Sequence, residues 1–275
     1  MSIFLCPCCG RPLQQDPAKY YCPKGHVFDR SKSGYVNLLL PNSKHSKLPG
    51  DNKLMVAARR NFLSKGYYQP LAELICKIAE QYFQNSDILL DVGCGEGYYT
   101  NQIQRHLNHN QTQVSLSGID ISKFALDKAA KQNKAINYAV ASAFHLPVDD
   151  HSCNGVFNLF APYCGEELLR VLRPDGYMIL AVPGKEHLWE LKQAVYQQPY
   201  KNEVKDTILQ GFHLIEQQHL CYPIHLEEPE LIDSLFKMTP YYYKTSIEDY
   251  QRLASLKELT VTVEFHLFVY QSNLK

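Results

Sequence analysis

The first 66 residues contain no glutamate and only three aspartates, Asp16, Asp29 and Asp51, against 11 lysines and arginines. That segment carries +8, and the remainder, with 17 basic and 25 acidic residues, carries −8. The chain therefore has no net excess of either sign, but a basic head sits on an acidic body. Such asymmetry points to a polyanionic partner; the bland reading is a solvated cationic surface. Also missing is any run of 18 apolar residues, so no transmembrane helix is expected and no membrane partner. The N-terminus, Met1-Ser2-Ile3-Phe4-Leu5-Cys6, lacks the apolar stretch of a signal peptide and meets cysteines at once, which points to a cytoplasmic location. In that setting nine cysteines do not suggest disulfides: clustered ones suggest metal and scattered ones suggest core. A hydrophobic content of 45% over 275 residues suits one large domain, or a moderate one with an appendage.

A dinucleotide fingerprint is absent too, because no glycine falls three residues after Gly95. What stands there instead is Asp91-Val92-Gly93-Cys94-Gly95-Glu96-Gly97-Tyr98-Tyr99, directly after the apolar run Ile88-Leu89-Leu90 and before a helical stretch. A strand ending in this pattern brings a backbone turn against a small ligand, each glycine removing a Cβ or permitting positive φ. The geometry suits a nucleoside cofactor at the carboxyl end of the first strand of a doubly wound sheet. It resembles motif I of the S-adenosylmethionine-dependent methyltransferases.

The clustered cysteines give a second constellation. Cys6-Pro7-Cys8-Cys9 and Cys22-Pro23-Lys24-Gly25-His26 read as C-x2-C-x12-C-x3-H, spacing that lets Cys6, Cys9, Cys22 and His26 converge on Zn²⁺. Cys8 can replace either neighbour, but only Cys6 with Cys9 has the usual knuckle spacing. A Cys-x-x-Cys redox pair would open a thioredoxin-like βαβ unit, and none follows. Four protein ligands close the site, so the zinc is expected to be structural, supplying folding free energy to a segment too short for its own core. Pro12 and Tyr20-Tyr21 suit a ribbon hairpin between the knuckles. Cys76, Cys153, Cys164 and Cys221 read as buried small hydrophobes, and Cys94 as packed beneath the glycine loop.

Between these constellations, Gly34 to Pro41 reads as a short extended segment, 42–53 as a basic loop, and Met55–Leu63 as a helix bearing Arg59 and Arg60. The basic connector is either a phosphate clamp or a linker. Pro70 opens a helix through Phe83 with Leu71, Leu74, Ile75, Ile78, Ala79 and Tyr82 on one face. Beyond the glycine loop a helix runs through Gln104, and a second strand, Val114–Ile121, ends at Asp120, which suits a ribose diol. Ser122 caps a helix over Phe124–Gln132. Strands follow at Asn137–Ala141, Gly155–Phe160 and Tyr177–Val182, the last after a turn at Arg173-Pro174-Asp175-Gly176, with a terminal pair near Phe212–Tyr222 and Leu259–Tyr270. The alternation argues a parallel sheet with an antiparallel edge. Ser142 stands where the acidic residue bordering the adenine is usual in such methyltransferases.

Together the halves resemble the large-subunit rRNA guanine-N1 methyltransferases that act on a 23S hairpin loop. The resemblance runs nearly end to end. It is carried by Cys6-x2-Cys9 with Cys22-x3-His26, Gly34-Tyr35-Val36-Asn37-Leu38-Leu39, Pro49-Gly50-Asp51, Ala58-Arg59-Arg60-x-Phe62-Leu63 and Gly66-x-Tyr68-Gln69-Pro70-Leu71. It continues through the glycine loop, Ala161-Pro162, Glu166-Glu167-Leu168 and Pro183-Gly184-x-x-His187-Leu188. It implies a class I, Rossmann-like α/β fold with a seven-stranded, mostly parallel sheet and a small N-terminal zinc ribbon. The expected parts are a zinc-binding RNA-recognition module over 1–36, a basic connector over 37–70 and a methyltransferase domain over 71–275. The implied cofactor is S-adenosyl-L-methionine, with Tyr68, Gly95, Glu96, Asp120 and His187 at contacting positions beside Asp91, Gly93 and Gly97 of the loop. The implied partners are 23S rRNA and a second copy of the chain, as a homodimer.

The implied chemistry is methyl transfer to guanine N1, which must lose its proton while charge grows on O6. Asn158, Tyr163, Glu166 and Glu167 lie near the loop where the target is expected. Phe160 and Tyr163 can stack an unstacked base, although for Phe160 a core position is the default. Two rivals remain: a small-molecule methyltransferase, which leaves the basic metal head unexplained, and an inactive zinc-dependent RNA-binding protein, against which the intact Asp91–Gly97 loop and Asp120 argue.

Overall fold

The structure, a computed structural model, describes residues 2–41, 49–203 and 208–274. The expected loop over 42–53 therefore falls partly, at 42–48, outside the described residues. Strands β1 (Gln14–Gln15), β2 (Lys19–Tyr21) and β3 (Val27–Asp29) form a small antiparallel sheet between and around the two knuckles. Next come β4 (Val36–Asn37), α1 (Lys53–Ser64) and α2 (Gln69–Tyr82). Asn52 caps α1 by accepting from the Met55 amide, and Pro70 occupies the first turn of α2, where its missing N–H costs nothing.

The body continues as β5 (Ile88–Val92), α3 (Tyr98–His109), β6 (Ser115–Asp120), α4 (Lys123–Gln132), β7 (Asn137–Val140), β8 (Cys153–Leu159), α5 (Gly165–Val171), β9 (Leu172–Pro183) and α6 (Trp189–Val195). It closes with β10 (Phe212–Leu226), α7 (Pro229–Lys237), α8 (Ile247–Ala254) and β11 (Leu259–Ser272). The central sheet has the order β10-β11-β9-β8-β5-β6-β7-β4. Strands β9 back through β8, β5, β6 and β7 are parallel, while β11 and β10 run antiparallel at one edge. The seven expected strands are all present, and the connector adds an eighth, two-residue strand beside β7. Strand β9 begins earlier than the expected Tyr177: register with β8 steps from Cys153↔Leu172 to Gly155↔Tyr177, so the expected turn at 173–176 survives as a bulge.

Alternate residues of the strands feed two cores. Leu89 of β5 and Val261, Val263, Phe265 and Leu267 of β11 face a cluster shared with α1, α2, α3, α4, α6 and α7. Leu90 and Val92 of β5, with Phe268 and Tyr270 of β11, face a second cluster, shared with α5 and the ribbon residues Phe4, Cys6, Leu13, Tyr20 and Cys22. The ribbon thus covers sheet that would otherwise meet water. It is also sewn on: Phe4 bridges Val148, the Leu5 amide donates to the Pro147 carbonyl at 2.8 Å, and the buried Tyr20 hydroxyl donates to Asn137 Oδ1 at 3.3 Å. Among the described residues no helix is long and apolar enough to cross a membrane.

Candidate functional site

The glycine loop follows the carboxyl end of β5. Gly93 and Gly97 both hold positive φ, 83° and 82°, but they differ from Gly95 in what lies beside them. A Cβ on Gly93 would stand 2.1 Å from Ala161 Cβ, and one on Gly97 would stand 2.9 Å from Ala129 Cβ. These two glycines let the loop pack against the body. A Cβ on Gly95 would meet only Arg59 Nη1, at 3.9 Å, so this glycine keeps an open face free of side chain. The loop is held from below, because the Gly93 and Cys94 amides donate to the Ile119 carbonyl at 2.7 and 3.0 Å. Cys94 is buried, and its sulfur would lie 2.9 Å from a Cβ on Gly118.

Asp120, at the end of β6, accepts from the Gly95 amide at 2.8 Å through one oxygen and from the Ser122 amide at 2.7 Å through the other. Each carboxylate oxygen retains a lone pair for a hydroxyl. Burial raises the Asp120 carboxyl above its usual range. Asp91 is 1% exposed. Its Oδ2 accepts from the Thr100 hydroxyl at 2.5 Å, while its Oδ1 is buried without a partner among the described residues. Burial, against the opposing Thr100 bond and with the help of Asp120, pushes this carboxyl up to about 7. Glu96 is buried as well, accepting from Gln132 Nε2 at 2.9 Å with Arg60 Nη1 3.7 Å away. Burial raises its carboxyl too, against Gln132 and Arg60.

Tyr68 and His187 stand across from this loop in an aromatic cluster. Tyr68 meets Phe62 and Phe265 edge-on, each with ring centroids 5.1 Å apart, and its hydroxyl is buried without a partner among the described residues. His187 lies 4.8 Å from Phe265 and 6.3 Å from Tyr68 by ring centroids. Its Nδ1 accepts from the Glu264 amide at 3.2 Å, so the proton of the neutral ring sits on Nε2 and is available to donate. Burial, then nearby Lys192, pushes the imidazole down to about 3, despite Glu264. The two groups of residues meet through Phe160, whose ring lies 5.5 Å from Phe265 and 6.2 Å from Tyr99.

Phe160 departs from the core position expected for it. It is 39% exposed and has φ of 69°, a backbone state that bulky residues avoid. The strain aims an aromatic ring over the mouth of the sheet. Tyr163, by contrast, packs against the ribbon-side core. Asn158 is fully buried, donating to the Val92 carbonyl at 3.0 Å with its Oδ1 unpartnered. Glu167 is committed elsewhere: it accepts from Arg170 and from the Leu146 amide at 2.7 Å. Burial would raise its carboxyl, but these bonds outweigh it and hold Glu167 below the usual range, unsuited to taking a proton. Arg170 also donates to the Leu146 and Val148 carbonyls, so α5 and the ribbon grip the 146–148 segment between them. Ser142 shapes the turn before it, its hydroxyl accepting from the Phe144 amide at 3.1 Å and leaving the Phe144 ring exposed.

Sequence reasoning missed three contributors. Thr100, one turn into α3, holds Asp91. Phe265 of β11 builds the aromatic wall. Arg59, considered above as a phosphate clamp, instead pairs with Asp51 and donates to the Met238 carbonyl. Asp51 in turn accepts from the Ser122 hydroxyl through its carbonyl at 2.6 Å, so the connector forms one wall of the site. Only the intramolecular contacts reveal this use of the basic pair.

At the ribbon, Cys6, Cys9, Cys22 and His26 place their ligand atoms within 4.8 Å of one another. The Cys9 and Cys22 sulfurs are 3.7 Å apart, and His26 Nδ1 is 3.4 Å from the Cys6 sulfur and 3.3 Å from that of Cys22. A tetrahedral ion with Zn–S bonds of about 2.3 Å separates its sulfurs by about 3.8 Å, so the set fits zinc. Burial raises the Cys22 thiol, but the His26 and Lys24 amides outweigh it and bring the thiol down to about 6, whereas burial pushes the Cys6 thiol up to about 12, so of these two Cys22 is the one shifted toward the thiolate a metal needs. Cys8 is exposed and outside the set.

The zinc-ribbon family described as "RlmA, N-terminal" matches residues 4–47, and the "Methyltransferase domain" family matches residues 84–229. A protein of Micromonospora griseorubida, "Putative 23S rRNA (guanine-N(1)-)-methyltransferase", is 32% identical over 97% of this chain and 96% of its own length. The chain belongs to the 23S rRNA (guanine-N1)-methyltransferase family. A second relative, the 23S rRNA (guanine(748)-N(1))-methyltransferase of Streptomyces fradiae, is 28% identical over 94% of each chain. A malonyl-[acyl-carrier protein] O-methyltransferase of Yersinia pestis is 30% identical, but over only 44% of this chain. Similarity to the guanine-N1 methyltransferases therefore takes in the ribbon and connector that a general methyltransferase body does not require.

Proposed function

We propose that the protein transfers the methyl group of S-adenosyl-L-methionine to N1 of a guanine in a hairpin loop of 23S rRNA. One observation carries this reading: a cationic zinc ribbon, with Arg11, Lys19, Lys24 and Lys32 exposed, is bonded directly to the 147–148 segment that follows β7, two strands from the β5 that ends in the glycine loop. The ribbon over 1–36 and the connector over 37–70 receive the RNA, and residues 71–275 perform the transfer. The chain works in the cytoplasm as a homodimer, which offers two cationic heads to one polyanion.

The open face at Gly95 and the unpartnered Asp91 Oδ1 suit the bound cofactor, which supplies an electrophilic methyl. Gly93, Gly95 and Gly97 bring backbone close to it, and Asp91 takes its ammonium. Glu96 and Asp120 line the ribose side, Asp120 accepting from the diol. His187 donates from Nε2 to the cofactor carboxylate, and Tyr68 closes the methionine end. Alignment of nucleophile and methyl carbon is the main task left to the protein. Phe160 offers a face on which an unstacked guanine rests, at a stacking value of about 1–3 kcal/mol. The ribbon holds its zinc through Cys6, Cys9, Cys22 and His26, and that ion is structural.

The test is incubation with methyl-labelled cofactor and either protein-free 23S rRNA, ribosomal particles or a small-molecule extract. Label at guanine N1 in the RNA, found by nuclease digestion, is the expected result. Label confined to a metabolite would replace this reading with that of a small-molecule enzyme.

A further inference from the structure

The antiparallel edge pair β10 and β11 carries a second set of metal-type side chains, remote in sequence from the ribbon. In the antiparallel register of β10 and β11, His219 lies opposite His266 and Cys221 opposite Glu264. Residues two apart on a strand share a face, so all four project on the same side of the sheet. The ligand atoms of His219, Glu264 and His266 lie within 4.8 Å of one another. Nε2 of His219 is 2.9 Å from Glu264 Oε1, and Nε2 of His266 is 3.9 Å from the same oxygen. The two imidazole rings stack, with centroids 4.7 Å apart and planes at 20°.

These spacings bracket what a divalent ion requires. Nitrogen and oxygen ligands at about 2.0–2.1 Å from a tetrahedral zinc lie roughly 3.3–3.5 Å apart. Stacked rings send their in-plane lone pairs alongside one another, so the half-exposed His219 ring must turn out of the stack, and His266 draw nearer Glu264, for all three ligand atoms to meet one ion. One ligand has the support usual at a metal: Glu264 Oε2 accepts from the Glu186 amide at 2.6 Å, which fixes the carboxylate and leaves Oε1 to the cluster. Nε2 is the His266 nitrogen that faces Glu264, while its Nδ1 is buried with no hydrogen-bond partner among the described residues. Cys221, expected in the core, is exposed and lies opposite Glu264 in the register.

We infer that His219, Glu264 and His266 form a second metal site for a divalent first-row cation. Two imidazoles, one carboxylate and a position open to solvent match Zn²⁺ best. The ion would fasten the edge strand β10 to β11. It would also steady Glu264, whose carbonyl accepts from the Gly184 amide at 2.8 Å and whose amide donates to His187. The site stands independently of the methyl acceptor.

The test counts metal. Full-length protein dialysed against Zn²⁺ and stripped of loose ions will retain two zinc ions per chain by elemental analysis, while His219→Ala and His219→Gln will each retain one. Glutamine places an amide N–H where Nε2 stood and can still donate to Glu264 but ligates poorly, so loss in both variants reports coordination rather than a lost hydrogen bond. Loading with Co²⁺ identifies which site holds metal: the ribbon thiolates give an intense near-ultraviolet charge-transfer band and a nitrogen–oxygen site does not. Two ions in both variants, or a parent holding only the ion that gives the thiolate band, would overturn the site.

Discussion

Asp91 is a residue on which burial and the role proposed for it pull in opposite directions. Its ordinary value is 3.8, and burial moves it to about 7 in the folded chain. The native state therefore binds more protons than the unfolded chain between those values, and the contribution of Asp91 to stability falls as pH rises through that window. A cofactor ammonium at Oδ1 would select the carboxylate instead. Affinity for S-adenosylhomocysteine, measured calorimetrically, is expected to rise with pH from 6 toward 7 and to level off above. Asp91→Asn should flatten that dependence and weaken binding by roughly 10- to 100-fold, the loss of one charge-assisted hydrogen bond of about 1.5–3 kcal/mol, without lowering the melting temperature of the free protein. An unchanged pH dependence in the variant would remove Asp91 from the site. At this scale the sequence was legible wherever backbone geometry dictates the residue, as in the glycine loop. It was silent where role depends on environment. Phe160 reads as core by type, yet its strained backbone turns it outward, and Cys221 reads as core but lies on an exposed sheet face.

The elements were legible where one periodicity governed them. The apolar face of α2 and the short runs of β5 through β8 lie within a few residues of expectation, because burial on one face fixes a helix and burial on both fixes a parallel strand. Helices α7 and α8 were not anticipated, although α7 buries Leu231, Ile232, Leu235 and Phe236. Both lie between the terminal strands, where chain order gives no alternation to lean on. The limits of β9 were hidden because a strand that bulges around Pro174 and Asp175 looks in sequence like a turn. The pairing of β5 with β8 also depends on a missing side chain. A Cβ on Gly155 would stand 2.2 Å from the Phe83 ring. Gly155→Ala should cost about 1–3 kcal/mol, seen as a lower thermal midpoint. Shrinking the opposing ring with Phe83→Leu should recover part of it. A variant that melts with the parent would show that α2 gives way freely there.

On the scale of the whole molecule, the ribbon shares one of the two cores of the catalytic body. The spacing of its cysteines disclosed the ribbon, but not where it docks, since the contacts of Phe4, Leu13 and Tyr20 with the sheet span more than a hundred residues of chain. Among the described residues the connector is likewise no tether: Gly50 lies against Ile121 and Ser122, and Asp51 is bonded to Ser122. A chelator that removes the structural ion is therefore expected to loosen more than the head. It should lower affinity for S-adenosylhomocysteine at least several-fold, and re-addition of Zn²⁺ should restore it. Equal affinity in the stripped and loaded protein would show that the two halves act separately.

The bridge from Phe4 to Val148 carries traffic both ways. Any ligand that firms the 142–148 segment tightens the clasp on the knuckles, by the reciprocity that binds two coupled equilibria. A methyl donor that contacts that segment would then slow the loss of the ribbon's ion, and the rate at which a colorimetric chelator draws off that ion should fall as donor is added.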